Sequence, residues 1–286
     1  MPPWLDDLLW TYQGLLYALG INGLLALAMY VVLAVGQLSL GQAAFAGLGA
    51  YSGALMSKLL LWPFWLVLPA SCLTPLAFAL VIGLPTIRLS GVYLAIATIG
   101  LGEVLRAFYL NADTLLGREV FGGALGISGI PRAAGAPLIF LLLAAALVIL
   151  WLIGRSRFGR AMEAIREDET AALVMGIDVR RARLAALAAS AVLAGLAGSL
   201  DAHVNAFIGP AEFGFEPAVS ILSYALLGGI ATPAGPVVGA ALLTVLPEAL
   251  RGASDLRMVF NGAIIVLAVL FLPGGLLPWP MRRRAA

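Results

Sequence analysis

The amino-acid sequence predicts an all-α fold: a polytopic transmembrane helix bundle of about nine membrane segments, forming a single domain over residues 1–286. Of the 286 residues, 62% are hydrophobic and only 11% are charged, and the mean hydropathy is +1.02. Soluble chains carry about 25% charged residues, so most of this protein's surface is expected to face lipid. The apolar runs are continuous and do not alternate with polar residues, which favours helices over the strands of a membrane barrel.

Nine apolar runs are candidates for membrane segments, because each approaches the roughly 20 residues that a helix needs to cross a bilayer. Two of them, 38–57 and 215–231, are rich in Gly, Ser and Ala, so each is either a full crossing or a re-entrant helix that lines a cavity. The predicted segments are 12–35, 38–57, 62–83, 90–108, 137–154, 184–206, 215–231, 234–250 and 258–273.

Glycines at four-residue spacing predict where membrane helices cross closely. The two pairs are Gly49 with Gly53 and Gly235 with Gly239. Because glycine has no side chain, a neighbouring helix can approach the backbone at these positions.

The distribution of basic residues predicts the orientation of the chain in the membrane. An odd number of crossings puts the two termini on opposite sides, and short cytoplasmic loops carry the excess of Lys and Arg. The arginine-rich segments 155–183 and 282–284 are therefore expected in the cytoplasm, and the Gly-rich loop 109–136 is expected outside. This predicts a multi-pass protein of the cell (inner) membrane, with the N-terminus outside and the C-terminus cytoplasmic.

Several functional classes are disfavoured by the residues present. Lys58 lacks the glycine-rich turn of a phosphate-binding loop, so the chain is not expected to be an ATPase. Cys72 and His203 are the single residues of their kinds, which disfavours a metal site built on them. We expect no enzyme activity, metal, cofactor or nucleic-acid partner. Glu103 and Arg106 lie three residues apart on one predicted helix and are expected to form an ion pair.

Residues 155–183, here called the charged segment, separate two predicted membrane segments. Six charges lie between Arg160 and Glu169. Their insertion at the bilayer centre would cost about 15–20 kcal/mol, so the segment must lie on the membrane surface. Gly159 and Gly176 punctuate its ends and no Gly or Pro lies between them, which predicts one continuous helix. A stripe of mostly small residues at helical spacing consists of Ala161, Ala164, Ile165, Asp168, Ala171, Ala172 and Met175.

Two interpretations of this helix remain open. The stripe would let another protein approach the backbone closely, while Arg and Glu residues between Arg160 and Glu169 form i,i+3 pairs on the opposite surface. Alternatively, the helix rests on lipid headgroups or packs on its own bundle. Its central acidic residues would be repelled by an anionic leaflet, which slightly favours docking to a protein.

The same segment resembles a known family. The run from Phe158 to Ala172, followed by Met175-Gly176-Ile177, is similar to the permeases of branched-chain amino acid ABC importers. Its Glu163-Ala164-Ile165 start and Gly176 resemble the Glu-Ala-Ala…Gly motif of the coupling helix in ABC-importer permeases, although Ile165 replaces the second Ala. The resemblance extends from residue 20 to residue 275 and includes the runs 38–45, 49–51, 228–229 and 235–240.

The resemblance implies a function and a set of partners. A permease subunit of this family would carry the branched-chain amino acids Leu, Ile and Val across the cytoplasmic membrane. The implied partners are two P-loop ATPase subunits, a second homologous permease subunit and an extracytoplasmic substrate-binding protein, besides membrane lipid. The residues implied to couple the permease to the ATPases are Gly159, Arg160, Glu163, Ala164, Glu167, Asp168, Ala171, Ala172 and Gly176.

Neutral polar side chains within the predicted membrane segments suit a path for a zwitterion with an aliphatic side chain. We expect Ser39, Gln42 and Tyr93 to line this substrate path, with hydrogen bonding between helices as the alternative for each. The wider set of such residues is Asn22, Gln37, Ser39, Gln42, Ser52, Tyr93, Thr98, Ser220, Ser223 and Tyr224.

Other transport functions remain open at the level of the sequence. A permease for urea or short-chain amides would differ in its substrate and not in its mechanism. An ion-coupled secondary transporter or a channel would need no ATPase. An ion-coupled transporter normally places carboxylates near the middle of the membrane, and the predicted segments offer no convincing carboxylate there.

Overall fold

The computed structural model describes residues 12–86, 89, 91–117, 120–249 and 275–276, and its regular structure is almost entirely helical. The helices are α1 (Gln13–Ala34), α2 (Gln42–Leu59), α3 (Phe64–Thr86), α4 (Val92–Leu116), α5 (Ala136–Arg155), α6 (Arg157–Glu167), α7 (Glu169–Val174), α8 (Val179–Asn205), α9 (Phe215–Gly228) and α10 (Ala234–Ala249). Two short strands, β1 (Ile127–Ser128) and β2 (Phe207–Ile208), pair antiparallel and join the loop after α4 to the end of α8.

Five of these helices, α1, α3, α4, α5 and α8, are long and apolar enough to cross a membrane. α9 and α10 have 14 and 16 residues. They would extend only about 21–24 Å, against a hydrocarbon core of about 30 Å. Eight of the predicted segments coincide with helices of the structure, and the ninth, 258–273, lies outside the described residues. The all-α class is confirmed for the described residues, while the number of crossings stays a prediction.

The outer surfaces of α3 and α5 are apolar. Trp65, Leu73 and Val81 of α3 are exposed, as are Leu141 and Ile149 of α5. Water would be a poor solvent for these surfaces, whereas lipid is a good one. The protein is therefore a multi-pass membrane protein whose α3 and α5 have apolar outer faces.

α8 is the central helix of the bundle and packs against α1, α2 and α3. A Cβ atom added at Gly195 would lie 2.3 Å from Cγ of Pro75 in α3. One added at Gly198 would lie 2.0 Å from the carbonyl oxygen of Ala46. On the facing helix α2, one added at Gly49 would lie 2.1 Å from the carbonyl oxygen of Gly195. The backbones of α2 and α8 are thus in direct contact, and the close crossing predicted at Gly49 is confirmed.

α9 and α10 form a hairpin whose two helices touch at glycines. A Cβ atom added at Gly239 would lie 2.1 Å from the carbonyl oxygen of Tyr224, and one at Gly235 would lie 2.2 Å from a backbone oxygen. The Asn22 side chain of α1 donates a hydrogen bond to Thr244 Oγ1 of α10 at 2.9 Å. The close crossing predicted at Gly235 and Gly239 is therefore confirmed, and the hairpin packs on α1.

The charged segment is not one continuous helix, so that prediction is wrong. α6 ends at Glu167, and Asp168 is extended, with φ −153° and ψ 109°. Its Oδ1 accepts hydrogen bonds from the backbone N–H groups of Thr170 at 2.8 Å and Ala171 at 3.0 Å, which caps α7. An aspartate side chain competes with the helix for backbone partners and favours caps over helix interiors. The chain therefore changes direction between α6 and α7.

Candidate functional site

The charged segment is anchored to the bundle through the inner face of α6. Met162 and Ile165 are buried in the same hydrophobic cluster as residues of α1, α5 and α8. The hydroxyl of Ser156 caps the first turn of α6. A Cβ atom added at Gly159 would lie 2.4 Å from the carbonyl oxygen of Ile153, so the close return of α6 onto the end of α5 requires glycine there.

The predicted stripe of small residues does not form a single surface, because the break at Asp168 redirects the chain. Part of the stripe faces the core and part faces outward. Ile165 and Ala172 are buried, Ala161 and Ala164 are half-buried, and Asp168, Ala171 and Met175 are exposed. A partner could reach only the exposed part of the stripe.

The i,i+3 ion pairs predicted within the charged segment are also wrong, since none occurs among the ion pairs of the described residues. Glu169 instead pairs with Arg183 of α8. Arg183 Nη1 donates to Oε1 of Glu169 at 2.9 Å, and Nη2 donates to Oε2 at 2.7 Å. The Arg183 side chain is only 12% exposed. Bidentate pairs are among the stronger charged contacts, so this one fixes α7 to α8.

The end of α7 presents an apolar surface to its surroundings. Leu173, Val174 and Met175 are 55%, 83% and 81% exposed. Gly176 follows them with φ +80°, a conformation that side chains other than glycine rarely adopt. Contiguous exposed apolar side chains with polar neighbours are typical of binding surfaces.

The residues predicted to couple the chain to an ATPase fall into three groups by exposure. Asp168 and Gly159 also have the local structural roles given above. Arg160, Glu163, Glu167, Asp168, Ala171 and Gly176 are exposed, Gly159 and Ala164 are half-buried, and Ala172 is buried. Six of the nine are thus open to a partner, and their contact with one stays a prediction.

A polar cavity of about 450 Å³ borders the opposite end of α8 from the charged segment. α1, α2, α8, α9 and the 3-10 turn at Pro210–Phe213 form its walls. Its polar side chains are Asn22, Asp201, Glu212, Glu216, Ser220 and Tyr224. Three of these six belong to the neutral set singled out in the sequence, and the other three are carboxylates.

Two of the three carboxylates of the polar cavity have local partners. Asn205 Nδ2 donates to Asp201 Oδ1 at 2.8 Å. The backbone N–H of Gly209 donates to Glu212 Oε2 at 3.4 Å. Burial raises the pKa of Glu212 above its usual range, while the hydrogen bond from Gly209 lowers it in part. Three acidic groups on one cavity favour a positively charged group on a ligand over a negatively charged one.

The three residues predicted to line a substrate path do not meet at the polar cavity. Ser39 and Gln42 are buried, and Gln42 Nε2 donates to Ser190 Oγ of α8 at 3.2 Å. Ser39 Oγ accepts a hydrogen bond from the backbone N–H of Gly41 at 3.3 Å. Tyr93 is 75% exposed on the outer surface of α4. Their role in a path stays a prediction.

The predicted pair of Glu103 and Arg106 is confirmed. Arg106 Nε donates to Glu103 Oε2 at 3.0 Å, and Glu103 Oε1 accepts from the backbone N–H of Phe215 at 3.1 Å. The pair thus links α4 to the start of α9. Sequence reasoning did not find the polar cavity, although one signal was present: Asp201, Glu212 and the residues around them carry acidic charge without any Lys or Arg.

His203 is buried within the bundle and has two hydrogen-bond partners. Nδ1 lies 2.7 Å from the carbonyl oxygen of Ser199, and Nε2 lies 2.7 Å from Ser57 Oγ. Because a carbonyl oxygen only accepts, Nδ1 carries the proton and Nε2 accepts from Ser57. Among the described residues, no group of three or more His, Cys, Asp or Glu side chains is arranged to hold a metal ion.

Membrane-crossing helices around one central helix, a charged segment at one end of that helix and a polar cavity at its other end define a membrane transport subunit. The chain belongs to the family described as branched-chain amino acid transport system / permease component, whose family model matches residues 11–269. No solved structure matches the chain.

Individual relatives fit this membership. The chain is 34% identical to the high-affinity branched-chain amino acid transport system permease protein LivM of Escherichia coli (strain K12), over 89% of this chain and 67% of that protein. It is 32% identical to LivH of the same strain, over 44% of this chain and 41% of that protein. It is 28% identical to the L-arabinose ABC transporter permease protein AraH of Azospirillum brasilense, over 91% of this chain and 78% of that protein.

Proposed function

We propose that this protein is the permease subunit of an ABC importer that carries the branched-chain amino acids Leu, Ile and Val across the cytoplasmic membrane. The observation that carries the proposal is the family match over residues 11–269, supported by 34% identity to LivM over 89% of the chain. Separate ATPase subunits supply the energy, since Lys58 lacks the glycine-rich turn of a phosphate-binding loop.

In the proposed orientation, the charged segment faces the cytoplasm and the polar cavity faces the outside. The arginine content of residues 155–183 supports this orientation through the positive-inside bias. An extracytoplasmic binding protein delivers the amino acid on the side of the polar cavity. A second homologous permease subunit completes the pathway.

The ATPase subunits, two in the complete importer, dock on the exposed part of the charged segment. The apolar tip at Leu173, Val174 and Met175 provides buried area, because these side chains are largely exposed in this chain. The exposed carboxylate of Glu167 sets the orientation of the contact.

α8 transmits the movement of the charged segment to the polar cavity. Its 27 residues span about 40 Å as a helix. The ion pair of Glu169 with Arg183 links α7 to its first turns, and Gly198 and Asp201 near its other end line the polar cavity. A tilt imposed on α7 would therefore change the width of the cavity, as expected of a two-state transporter.

The substrate path begins at the polar cavity in this proposal. Its carboxylates attract the ammonium group of an amino acid, and its neutral groups Ser220 and Tyr224 offer hydrogen bonds. Ser39 and Gln42 lie farther along α2 and the turn before it. Tyr93 faces away from this chain, so it would line a path only at the contact with the second permease subunit.

The test is uptake of radiolabelled leucine by proteoliposomes that contain the complete importer, with ATP inside and the binding protein outside. We expect ATP-dependent uptake by the wild type. Glu167→Arg is expected to reduce it to background while the protein stays folded, because the reversed charge faces the ATPase. Arg180→Glu is the matched control, since Arg180 is an exposed charge outside the predicted contact.

Two outcomes would contradict parts of this proposal. Wild-type uptake by Glu167→Arg would contradict the docking surface. Uptake that vanadate does not inhibit, and that is lost when an ion gradient is dissipated, would contradict the assignment as an ABC importer.

A further inference from the structure

A second cavity, of about 260 Å³, lies between the charged segment and the bundle. Helices α1, α5, α6 and α8 and the turn before α10 form its walls. The lining is largely aliphatic and includes Val31, Ile153, Met162 and Ala186. We call it the inner cavity. Its volume is close to the lower end of those that hold small ligands, about 300 Å³.

Charged groups of both signs line the inner cavity. Glu163 and Arg166 of α6 both belong to its wall and lie three residues apart, which places them on the same side of the helix. Neither takes part in an ion pair within the part of the chain that the structure describes. Arg155 also lines the cavity and stacks over the ring of Trp151 at 3.7 Å. A carboxylate and a guanidinium without ion-pair partners thus meet at an aliphatic cavity.

We propose that the inner cavity binds an α-amino acid with a branched aliphatic side chain from the cytoplasmic side. Arg166 holds the α-carboxylate, Glu163 holds the α-ammonium group, and the side chain enters the aliphatic interior. This inference rests on the proposed function for the orientation of the chain and for the choice of ligand.

An anionic phospholipid is the alternative ligand for the inner cavity. Basic residues and tryptophan at a membrane surface favour lipid headgroups. The Glu163 carboxylate argues against this occupant, because it would lie beside the phosphate and repel it. A zwitterion with a short aliphatic chain pairs with both Glu163 and Arg166 and fits the limited volume, while Arg155 stacks over Trp151.

Occupation of the inner cavity has a consequence for transport. The amino acid would contact α6 and α8 together, because both helices line the cavity. It would therefore hold the charged segment against the bundle and oppose the movement that drives import. Accumulated product would slow its own uptake from inside.

The experiment uses the complete importer in proteoliposomes preloaded with unlabelled leucine. Initial ATP-driven uptake is compared with that of vesicles without internal leucine, and we expect a reduction of about fivefold or more in the wild type. Ala189→Phe and, as a second variant, Ala185→Leu are expected to relieve this inhibition and to keep the basal rate. Both alanines are exposed residues of α8 that line the inner cavity, so a larger side chain fills it without entering the core.

A direct binding measurement separates this inference from the proposed function. The purified full chain in detergent is incubated with radiolabelled leucine, without the binding protein or ATPases. Wild type and the control Ala144→Phe, whose alanine faces outward from α5, are expected to bind, and Ala189→Phe is not. Equal binding by wild type and by both cavity-filling variants would overturn the site.

The remaining outcomes are also decisive. Active import that internal leucine does not slow, together with no leucine binding by the full chain, would overturn the inference and leave the proposed function intact. In another outcome, the wild type retains phosphatidylglycerol, Ala189→Phe does not, and neither binds leucine. This result would overturn the inference in favour of a lipid as the occupant. An importer that moves no leucine would contradict the proposed function, whereas the binding measurement would still decide the site.

Discussion

The two ends of α8 differ in how they are held. At its first turns, Asp178 Oδ1 accepts from the backbone N–H of Arg181 at 3.0 Å, and Arg183 forms the bidentate pair with Glu169. At its last turns, Asp201 borders a cavity of about 450 Å³. One end is thus tied to the charged segment, and the other end borders open volume.

Close packing in the middle of α8 would allow a movement at one end of the helix to reach the other end. At Gly195 and Gly198 the helix lies directly against the backbones and side chains of its neighbours, without room for a Cβ atom. Packed interfaces of this kind shift as units and do not deform continuously. The comparison teaches that, under the proposed function, a movement of the charged segment would reach α8 through the pair of Glu169 with Arg183. The close-packed middle of α8 would carry this movement to the polar cavity and change its volume.

The largest expected effect comes from breaking the middle of the helix. Gly49→Val places a side chain against the backbone of Gly195, which cannot move aside, so we expect a loss of about 3 kcal/mol or more. The measurement is the recovery of monodisperse protein from membranes and its thermal unfolding. Gly100→Val is the matched control, since nothing lies within 4 Å of an added Cβ atom there. Equal recovery of both variants would contradict the close-packed middle.

The next effect concerns the tied end. Glu169→Gln removes one charge of the pair with Arg183, and we expect ATP-driven leucine uptake to fall about tenfold while the protein stays folded. The exchanged pair, Glu169→Arg with Arg183→Glu, should recover part of the activity. Arg181→Gln is the control, because its pair with Asp178 is largely exposed and worth little.

Uptake by Glu169→Gln at the rate of Arg181→Gln would show that α7 does not transmit through this pair. The two variants must yield equal amounts of folded protein. A difference in their uptake rates then reports a change in coupling and not a loss of protein.

A smaller effect is expected at the open end. Ser220→Leu projects a larger apolar group into the polar cavity, so uptake at low leucine concentration should fall about fivefold. The neighbouring Val219→Leu is the control, because Val219 is exposed on α9 and does not line the cavity. The same loss in both variants would mean that the cavity is not on the path.

The smallest effect tests the packing beside the open end. Ser57→Ala removes the hydrogen-bond donor to His203 Nε2, and we expect a loss of about 1 kcal/mol of stability with uptake unchanged. Thermal unfolding in detergent measures it. The control is Ser128→Ala, an exposed serine whose backbone carbonyl continues to accept from Lys58 Nζ. A stability unchanged by Ser57→Ala would contradict a stabilising hydrogen bond between Ser57 and His203.

The helices themselves could be predicted from the sequence because each apolar run has the length of a crossing. The run 12–35 corresponds to α1 and the run 137–154 to α5, within about two residues at each end. α4 extends to Leu116, beyond the predicted end at 108, because polar residues such as Asn111 and Asp113 do not end a helix by themselves.

The sequence could not predict the partners of individual side chains. Glu169 has an arginine three residues before it, yet it pairs with Arg183, which packing brings close from the next helix. Asp168 looked like a member of a helical stripe, whereas its side chain caps α7. Helical spacing describes a surface only while the helix continues, and one capping residue is enough to end it.

The polar cavity could not be predicted for a similar reason. Asn22 and Asp201 are far apart in the chain and meet only because α1 and α8 pack together. Tyr93 shows the opposite error. It is expected inside the bundle because it is a polar residue in an apolar run, but it faces outward in this chain.

The contact of α2 with α8 also has a consequence during synthesis. Gln42 of α2 and its hydrogen-bond partner Ser190 of α8 are 148 positions apart in the chain. At about 5–20 residues per second, a ribosome needs roughly 7–30 s to make the intervening chain. Over that interval the glycine face of α2 stands in the membrane without the helix that covers it. We therefore expect the half-made chain to be more exposed to quality control than the finished protein, in which α8 covers this face.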